Sequence, residues 1–312
     1  MKAVRIHSFG SAAVLQLEEV PKPQPGEHEV LIHVRAASVN PVDYKMRSGE
    51  FKPVGMTMPL TLGRDVSGVI EDIGYDVPDI NVGDEVYALL DQNHGGYAEF
   101  VVTKYDGVAP KPSSIDHIHA AAIPLAATTA WQGLFDHGRL KAGERVLIHG
   151  AAGGVGHFAV QFAKNHGAYV IATACAEDTD LLRELGADEV IDYKHERFEE
   201  RAHDVDLILD LVAGETQQRS WDALKEGGRL ISTLQPPSEV EAARHHAEGE
   251  AFMAEANRGE LAQIGRLIDE GKVRVIVQQT LPLDEAQRAH EHMEQEHVRG
   301  KVVLAIGGTT SP

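Results

Sequence analysis

The sequence predicts an α/β protein in two parts, a compact β-rich barrel followed by a doubly wound parallel sheet. Residues 1–115 contain short strand-type segments separated by turn residues, such as the proline-rich stretch 21–26. From residue 145 onward strand-type and helix-type segments alternate, which is typical of a parallel sheet with helices on both faces. A chain of 312 residues also suits two domains better than a single core.

The first part is predicted to contain strands at 2–7, 15–20, 30–37, 66–73 and 85–89. An alanine-rich helix is predicted over 119–135. The second part should contain strands at 146–148, 169–174, 189–191, 205–209, 229–232 and 273–277, interleaved with helices at 155–165, 178–185, 198–201, 216–224 and 259–269. Residues 235–250 are interpreted as a polar loop or helix at the sheet edge. The tail predicts a helix over 284–294 and a strand over 301–306 that can rejoin the first part.

The most informative stretch is the glycine-rich turn between the strand at 146–148 and the helix at 155–165. It contains Ala152, Gly153, Gly154, Val155 and Gly156. A strand, a glycine turn and a helix in this order form a dinucleotide cradle, because a glycine lets a pyrophosphate approach the backbone and the helix start offers free N–H groups. The residue before Ala152 is also alanine where the G-x-G-x-x-G pattern has its first glycine, so the prediction depends on the surrounding strand and helix.

Composition excludes several classes of function. The formal charge of −19 repels phosphate backbones and anionic membranes, so we expect neither nucleic-acid nor membrane binding. Cys175 is the single cysteine, which rules out a disulfide framework and a set of zinc-binding thiolates. The N-terminus alternates like a strand and no stretch approaches the roughly 20 apolar residues of a membrane helix, so the protein is expected to be cytoplasmic.

Several motifs resemble those of a known family. Residues 36–45, 63–68, 82–86 and 95–99 resemble the first domain of the medium-chain dehydrogenase/reductase superfamily, and the glycine turn, residues 185–193 and residues 298–304 resemble its zinc-independent quinone oxidoreductase branch. The resemblance implies a GroES-like catalytic domain over 1–118, completed by 271–312. It also implies a Rossmann NAD(P)-binding domain over 119–270, with the active site in the cleft between the two domains.

The same resemblance bears on metal binding. Zinc-dependent relatives have a cysteine where this chain has Asn40, and a Gly-His-Glu where it has Gly63-Arg64-Asp65. Their structural zinc site needs four closely spaced cysteines. Because these ligands are missing from the sequence, we expect a reaction without a metal.

Catalysis without a metal requires hydrogen-bond donors for the oxygen that gains negative charge when a hydride is transferred. Asn40, Tyr44 and Lys45 offer an amide, a phenol and an ammonium, and are expected on one loop. The resemblance implies that Tyr44 and Lys45 polarise the substrate oxygen and that Asn40 positions the substrate or the nicotinamide ribose. Lys45 could equally be a solvated charge and Tyr44 a packing residue. With a quinone or an activated alkene, water could supply the final proton.

Further cofactor contacts are implied by the resemblance or by position at the carboxyl ends of strands. They are Thr129, Thr173, Cys175, Tyr193, Leu211, Val212, Ser232, Leu234 and Lys301. Thr129 could instead be an ordinary helix hydroxyl, the residues at 211, 212, 232 and 234 could be core, and Lys301 could be an exposed tail lysine. Cys175 is interpreted as a small apolar residue near the adenosine rather than as a redox thiol.

The choice between NADPH and NADH depends on charges near the adenosine ribose. Glu177 and Asp178 follow the second strand, where an arginine or lysine would be expected for a 2′-phosphate, and they favour NADH. Tyr193 and Lys194 follow the next strand and can reach a 2′-phosphate. Together with the habit of the family, they favour NADPH, with NADH as the alternative.

The resemblance implies an NAD(P)H-dependent reductase of quinones or of the C=C bond of α,β-unsaturated carbonyls. A zinc-free alcohol or aldehyde dehydrogenase and a nucleotide-binding regulatory protein with little turnover are the alternatives. The substrate depends on loops such as 47–58 and 91–95, whose shape the sequence does not reveal. A homodimer is possible, since relatives often pair through an edge strand, but residues 247–256 are a poor strand sequence.

Overall fold

The computed structural model describes residues 1–92 and 94–307. Its strands are β1 (Lys2–Ile6), β2 (Gln16–Glu19), β3 (Glu29–Val39), β4 (Leu60–Thr61), β5 (Asp65–Ile73), β6 (Glu85–Leu89), β7 (Phe100–Lys104), β8 (Val108–Pro110), β9 (Arg145–Ile148), β10 (Tyr169–Ala174), β11 (Glu189–Asp192), β12 (Val205–Asp210), β13 (Leu224–Ser232), β14 (Glu248–Ala251), β15 (Val277–Pro282) and β16 (Lys301–Ala305). Its α-helices are α1 (Pro41–Ser48), α2 (His117–Ala121), α3 (Pro124–Trp131), α4 (Gly156–Asn165), α5 (Thr179–Glu184), α6 (Gly214–Ser220), α7 (Glu239–Arg244), α8 (Arg258–Asp269) and α9 (Ala286–Gln295).

The chain divides into two compact units. Unit 1 contains residues 1–125, 256–270 and 275–312, and unit 2 contains residues 126–255 and 271–274. The boundaries predicted from the sequence, 118/119 and 270/271, therefore differ from these. Residues 119–125 lie in unit 1 because α2 packs on β3 and β5, and residues 256–270 lie there because α8 packs on β8.

Unit 1 is built on a mainly antiparallel sheet. Its strands run in the order β15-β16-β3-β5-β6-β8, with β7 paired to β3, beside a smaller sheet in the order β2-β1-β4. Strand β16 pairs antiparallel with β3, with Val302 opposite Val39, so the tail rejoins the first part as predicted. Apolar residues of both strands, including Val34, Val39 and Leu304, are buried in one core. Because β3 and β16 are neighbours, Lys301 comes close to the end of β3.

Unit 2 contains a parallel sheet in the order β11-β10-β9-β12-β13-β14. The strand order reverses between β9 and β12, which confirms the predicted doubly wound sheet. The central strands are almost completely buried and mostly apolar, with Leu147, Ile171 and Ile208 in one buried cluster. The carboxyl ends of β9 and β12 lie side by side at the point of reversal, where open α/β sheets bind ligands.

Three predicted elements were wrong. The strand at 273–277 does not form in unit 2; instead β15 begins at Val277 and pairs parallel with β16 in unit 1. Of residues 235–250, predicted as a polar loop or helix at the sheet edge, Glu239–Arg244 do form α7. The prediction fails at the end of this stretch, where Glu248–Ala251 form the edge strand β14, because parallel pairing with β13 outweighs the weak strand propensity of an exposed Glu-Gly-Glu-Ala segment. The helix predicted over 119–135 is broken into α2, α3 and a π-helical turn at Gln132–His137, since Pro124 cannot supply the N–H needed to continue α2.

The sequence pattern missed the strands β4, β7 and β8. With two and three residues, β4 and β8 are too short to show an alternation, whereas β7 (FVVTK) has as many residues as β1 and could have been recognised. Within the part of the chain that the structure describes, no helix combines the length and the apolar composition needed to cross a membrane.

Candidate functional site

Asn40 lies where β3 ends and α1 begins. Its backbone N–H donates to Asp43 Oδ2 over 2.8 Å, and Pro41 occupies the first helical position, where a missing N–H costs nothing. Tyr44 and Lys45 therefore lie within a helix, and the prediction that they share a loop with Asn40 was wrong. The signal was present in the sequence, because an Asn-Pro pair followed by aspartate is a typical helix start.

The Asn40 carboxamide is held from both ends inside unit 1. Its Nδ2 donates to Asp65 Oδ2 over 2.8 Å, and its Oδ1 accepts a hydrogen bond from Lys301 Nζ over 2.5 Å. Asn40 and Lys301 are each 3% exposed and Asp65 is fully buried. Lys301 is thus not an exposed tail lysine. Its ammonium is fixed by two further contacts, because it also lies 3.4 Å from Val39 O and 3.4 Å from Asp65 Oδ2.

Asp65 is the centre of this cluster. Besides Asn40, the Ser38 hydroxyl donates to Asp65 Oδ2 over 2.6 Å and the Leu125 backbone N–H donates to Oδ1 over 2.7 Å. Burial lowers the pKa of Lys301, while the nearby carboxylates of Asp65 and Asp43 oppose that shift. The buried ion pair is compensated by hydrogen bonds on both partners, which is the condition under which such pairs persist in a core.

A second buried hydrogen-bond network contacts the first turn of α1 at Asp43. The Tyr97 hydroxyl donates to Asp43 Oδ2 over 3.0 Å and lies 3.2 Å from His290 Nε2, while Arg47 Nη1 lies 3.1 Å from His290 Nδ1. Arg47 can only donate, so Nδ1 accepts and Nε2 carries the proton of a neutral imidazole. Arg47 also forms a salt bridge with Glu294 over 2.7 Å.

Burial shifts the pKa values of two groups in this network, His290 and Asp43. It lowers the pKa of His290 to about 3, with a further contribution from Arg47, and raises the pKa of Asp43 to about 6. Within the described residues, Asp43 Oδ1 has no hydrogen-bond partner. The sequence reasoning did not identify this network, because His290 and Arg47 are 243 residues apart and no motif links them.

Tyr44 and Lys45 are both partly buried on α1. Burial raises the pKa of Tyr44, helped by Glu294 and Glu50. Lys45 Nζ lies 3.9 Å from Glu50 Oε1, and neither side chain is hydrogen bonded to Asn40 in the described part of the chain. Lys45 is therefore a partly solvated charge. Separately, the Tyr44 hydroxyl has no hydrogen-bond partner among the residues that the structure describes.

In unit 2 the turn after β9 is shaped by glycines. Gly150 adopts a φ of +68°, and a Cβ added at Gly156 would lie 2.3 Å from its carbonyl oxygen. At Gly153 an added Cβ would meet nothing closer than 3.4 Å. Gly156 is thus required by the fold, whereas Gly153 leaves open space beside the backbone. Gly150 supplies a further glycine that the sequence reasoning did not single out.

Buried polar groups fix the strand ends around this turn. His149 Nδ1 lies 3.0 Å from Thr173 Oγ1 and Nε2 lies 3.0 Å from Ser220 Oγ, and burial lowers the pKa of His149 to about 4. The Thr173 carbonyl accepts the N–H of Ala151 over 3.1 Å. Thr173 is buried, with its hydroxyl bound to His149, and so it supports the turn from within the sheet.

The next two strand ends meet beside the glycine turn. Asp192 lies opposite Ala174 in the register of β11 and β10, which brings Cys175 to Tyr193: the thiol lies 3.2 Å from the phenol oxygen. Tyr193 and Lys194 are exposed, and Cys175, Glu177 and Asp192 raise the pKa of Lys194. Of the two acids predicted to oppose NADPH, Glu177 is exposed and Asp178 is buried.

Asp210 organises the carboxyl ends of β12 and β13. Its Oδ1 accepts the backbone N–H groups of Val212 and Ala213, over 3.0 and 2.8 Å, and its Oδ2 accepts the Ser232 hydroxyl over 3.0 Å. Val212 is 48% exposed and Leu234 is 46% exposed, so they are not core. Ser232 is fully buried, and Leu211 lies against Gly150.

The remaining residues predicted to bind a cofactor lie in α3 and in the glycine turn. Thr129 is 7% exposed in α3. Ala152, Gly154 and Val155 lie in the turn before α4, and this helix begins one residue later than predicted, at Gly156.

Comparison with known proteins gives matches along the chain. Residues 26–113 match the alcohol dehydrogenase GroES-like domain and residues 185–304 match a family described as zinc-binding dehydrogenase. The chain is 37% identical to the human NAD(P)H oxidoreductase RTN4IP1, mitochondrial, over 89% of this chain and 82% of that protein. It is 35% identical to the Arabidopsis thaliana NADPH-dependent alkenal/one oxidoreductase, chloroplastic, over 97% and 79%. The structure of a quinone oxidoreductase from Coxiella burnetii superposes with a TM-score of 0.92 at 37% identity, over 98% and 99%.

Proposed function

The chain belongs to the quinone oxidoreductase branch of the medium-chain dehydrogenase/reductase superfamily, and we propose that it is an NADPH-dependent oxidoreductase that reduces quinones or the C=C bond of α,β-unsaturated carbonyls. The observation that carries the proposal is a glycine turn at the switch point of a parallel sheet, in a chain whose other unit carries a buried amide donor, Asn40, and a partly buried hydroxyl donor, Tyr44.

The glycine turn fits a dinucleotide. Gly156 allows α4 to pack against the turn, and the space beside Gly153 lets a pyrophosphate reach the backbone N–H groups at the start of the helix. When bound there, the reduced nicotinamide supplies a hydride. Val212 and Leu234, exposed at the strand ends, offer apolar contacts to the nucleotide.

Tyr193 and Lys194 favour NADPH over NADH. Both are exposed beside Cys175 at the end of β11, where a phenol and an ammonium can bind a 2′-phosphate. The burial of Asp178 leaves Glu177 as the exposed carboxylate of the two acids that oppose the phosphate. A relative whose name specifies NADPH supports the same preference.

The donors for the substrate oxygen are Asn40 and Tyr44. As a hydride adds to a quinone or enone, negative charge develops on the carbonyl oxygen, and a fixed donor stabilises that charge. Asn40 has one amide N–H beyond the one that Asp65 accepts, and the Tyr44 hydroxyl is uncommitted. Lys45 contributes at most a distant positive charge, because Glu50 lies beside it.

The reaction proceeds without zinc in this proposal, although one of the matching families is described as zinc-binding. Asn40 Oδ1 and Asp65 Oδ2 both face the ammonium of Lys301, so a cation already occupies the space between them. Arg64, the neighbour of Asp65, is a buried cation whose Nε donates to Leu90 O over 2.7 Å. This donor set suits hydrogen bonding rather than zinc ligation.

The cellular compartment and the oligomeric state stay predictions. The names of the two relatives place one in mitochondria and the other in chloroplasts. The exposed edge strand β14 could pair with a second copy, and its two glutamates are already engaged within the chain, Glu248 with Arg139 and Glu250 with His137.

Transfer of isotope tests the proposed reaction. The purified protein is incubated with NADPH deuterated at one face of C4 and with a simple enone, and the product is analysed by mass spectrometry. One deuterium at the β-carbon, from only one of the two labelled faces, is the expected result. Loss of NADPH without deuterium in the product, or reduction of the carbonyl instead of the double bond, would refute the enone part of the proposal.

A further inference from the structure

We propose that Lys301 and Asp65 hold the Asn40 carboxamide in a single orientation, which presents its remaining N–H to the carbonyl oxygen of a quinone or enone. Lys301 is then a positioning residue that acts through Asn40 and does not bind the cofactor. This inference rests on the proposed function.

The orientation of the amide follows from the charges of its neighbours. An ammonium can only donate and a carboxylate can only accept, so Asn40 Oδ1 must face Lys301 and the NH₂ group must face Asp65. Turning the amide by 180° would set donor against donor and acceptor against acceptor. The hydrogen-bond network therefore fixes the assignment of the two amide atoms.

One amide hydrogen remains after these bonds are counted. The NH₂ group has two hydrogens and Asp65 accepts one, while no other described residue accepts from Asn40 Nδ2. The ammonium against Oδ1 also polarises the amide, which strengthens the remaining N–H as a donor. That hydrogen has the character needed for an oxygen on which charge develops.

Lys301 has no donor left for a phosphate. Its three N–H bonds are matched by Asn40 Oδ1, Val39 O and Asp65 Oδ2, and the residue is 3% exposed. The sheet builds this arrangement, because the register of β16 on β3 places Val302 opposite Val39 and so brings Lys301 to Asn40. The predicted role of Lys301 in cofactor binding conflicts with this geometry.

A matched pair of variants separates positioning from charge. Lys301→Gln and Lys301→Met both remove the buried positive charge, but only glutamine keeps an N–H donor for Asn40 Oδ1. We expect Lys301→Met to lower kcat about 100-fold, as loss of a fixed donor does, and Lys301→Gln to stay within about 5-fold of wild type. The dissociation constant of NADPH, measured by fluorescence titration, should change less than about 2-fold in both.

A double variant checks that Lys301 acts through Asn40. Asn40→Ala should lower kcat about 100-fold, and adding Lys301→Met to it should cost no more than about 3-fold further, because the group being positioned is already gone. Equal losses of kcat in Lys301→Gln and Lys301→Met would overturn the inference, as would independent losses in the double variant. A large rise in the NADPH dissociation constant with kcat unchanged would return Lys301 to cofactor binding.

Ser38→Ala provides a variant that leaves the buried charges in place if the Lys301 variants fail to fold. It removes one donor from Asp65 Oδ2. We expect kcat to fall about 3-fold to 10-fold at unchanged NADPH affinity, and an unchanged kcat would contradict the positioning role. Wild-type turnover is measured first: its absence refutes the proposed function, whereas turnover that is insensitive to these variants refutes only this inference.

Discussion

Replacing His290 by glutamine should flatten the acid dependence of stability. The neutral imidazole accepts a hydrogen bond from Arg47 at Nδ1 and donates one to Tyr97 at Nε2. Glutamine can do the same through its carbonyl and amide groups, but it cannot take up a proton. The substitution therefore preserves the hydrogen-bond network and removes its titration.

The magnitude follows from the pKa of His290, which burial lowers from 6.5 to about 3. In the unfolded chain the histidine takes up a proton below pH 6.5, whereas the folded protein excludes it until about pH 3. The stabilisation is thus complete above 6.5 and is lost as the pH falls. Each pH unit costs at most about 1.4 kcal/mol, so wild type should lose about 2 kcal/mol more than His290→Gln between pH 7 and pH 5.

Urea unfolding of both proteins at pH 7 and pH 5, followed by fluorescence, measures this difference. The raised pKa of Asp43 has the opposite sign, since its folded form holds a proton that the unfolded chain releases between 3.8 and about 6. That contribution, and that of His149, is present in both proteins and cancels. The exposed His203, changed to glutamine, is the matched control for the effect of a histidine-to-glutamine substitution itself. If the free energy of unfolding fell equally in wild type and His290→Gln between pH 7 and pH 5, the conclusion that His290 is a neutral, buried imidazole would be refuted.

Four further outcomes are expected. Gly153→Ala should fold normally but weaken NADPH binding about 10-fold or more, because its methyl group enters the space left for the pyrophosphate. Gly156→Ala should also lower the melting temperature, since its Cβ would lie 2.3 Å from Gly150 O. Lys194→Ala should reduce the ratio of NADPH to NADH affinity about 10-fold or less, as expected for an exposed charge on a phosphate, and an unchanged ratio measured by titration would remove Lys194 from the 2′-phosphate site. Lys45→Met should change kcat less than about 3-fold, while Tyr44→Phe should lower it about 10-fold or more; the reverse order in steady-state kinetics would exchange their roles. Treatment with a zinc chelator should leave turnover unchanged, and inactivation restored by added zinc would contradict catalysis without a metal.

The parts of the fold that sequence could predict are those set by local pattern. The alternation from residue 145 onward predicted the parallel sheet, and the apolar tail predicted the return of β16 to the first unit. Strand β14 was missed because tertiary pairing, not propensity, determines it. Pro124 could have been read as the break in the helix at 119–135 and was not.

In the candidate site, too, the residues set by local motifs could be predicted from the sequence, whereas those set by tertiary contacts could not. Asn40 and the glycine turn follow from motifs, because their chemistry is carried by adjacent residues. The contacts of Lys301 with Asn40 and of His290 with Tyr97 join residues 261 and 193 positions apart. Such pairs depend on strand register and helix packing, which one sequence does not specify. The sequence therefore identified the amide that could act but not the groups that orient it.

The most direct test of the proposed activity is steady-state oxidation of NADPH and NADH side by side, with 1,4-benzoquinone and an enone as acceptors. We predict turnover with at least one acceptor and a higher kcat/KM for NADPH, as Tyr193 and Lys194 favour. A preference for NADH would show that Glu177 outweighs them. No turnover with either nucleotide, while NADPH still binds, would contradict the reductase.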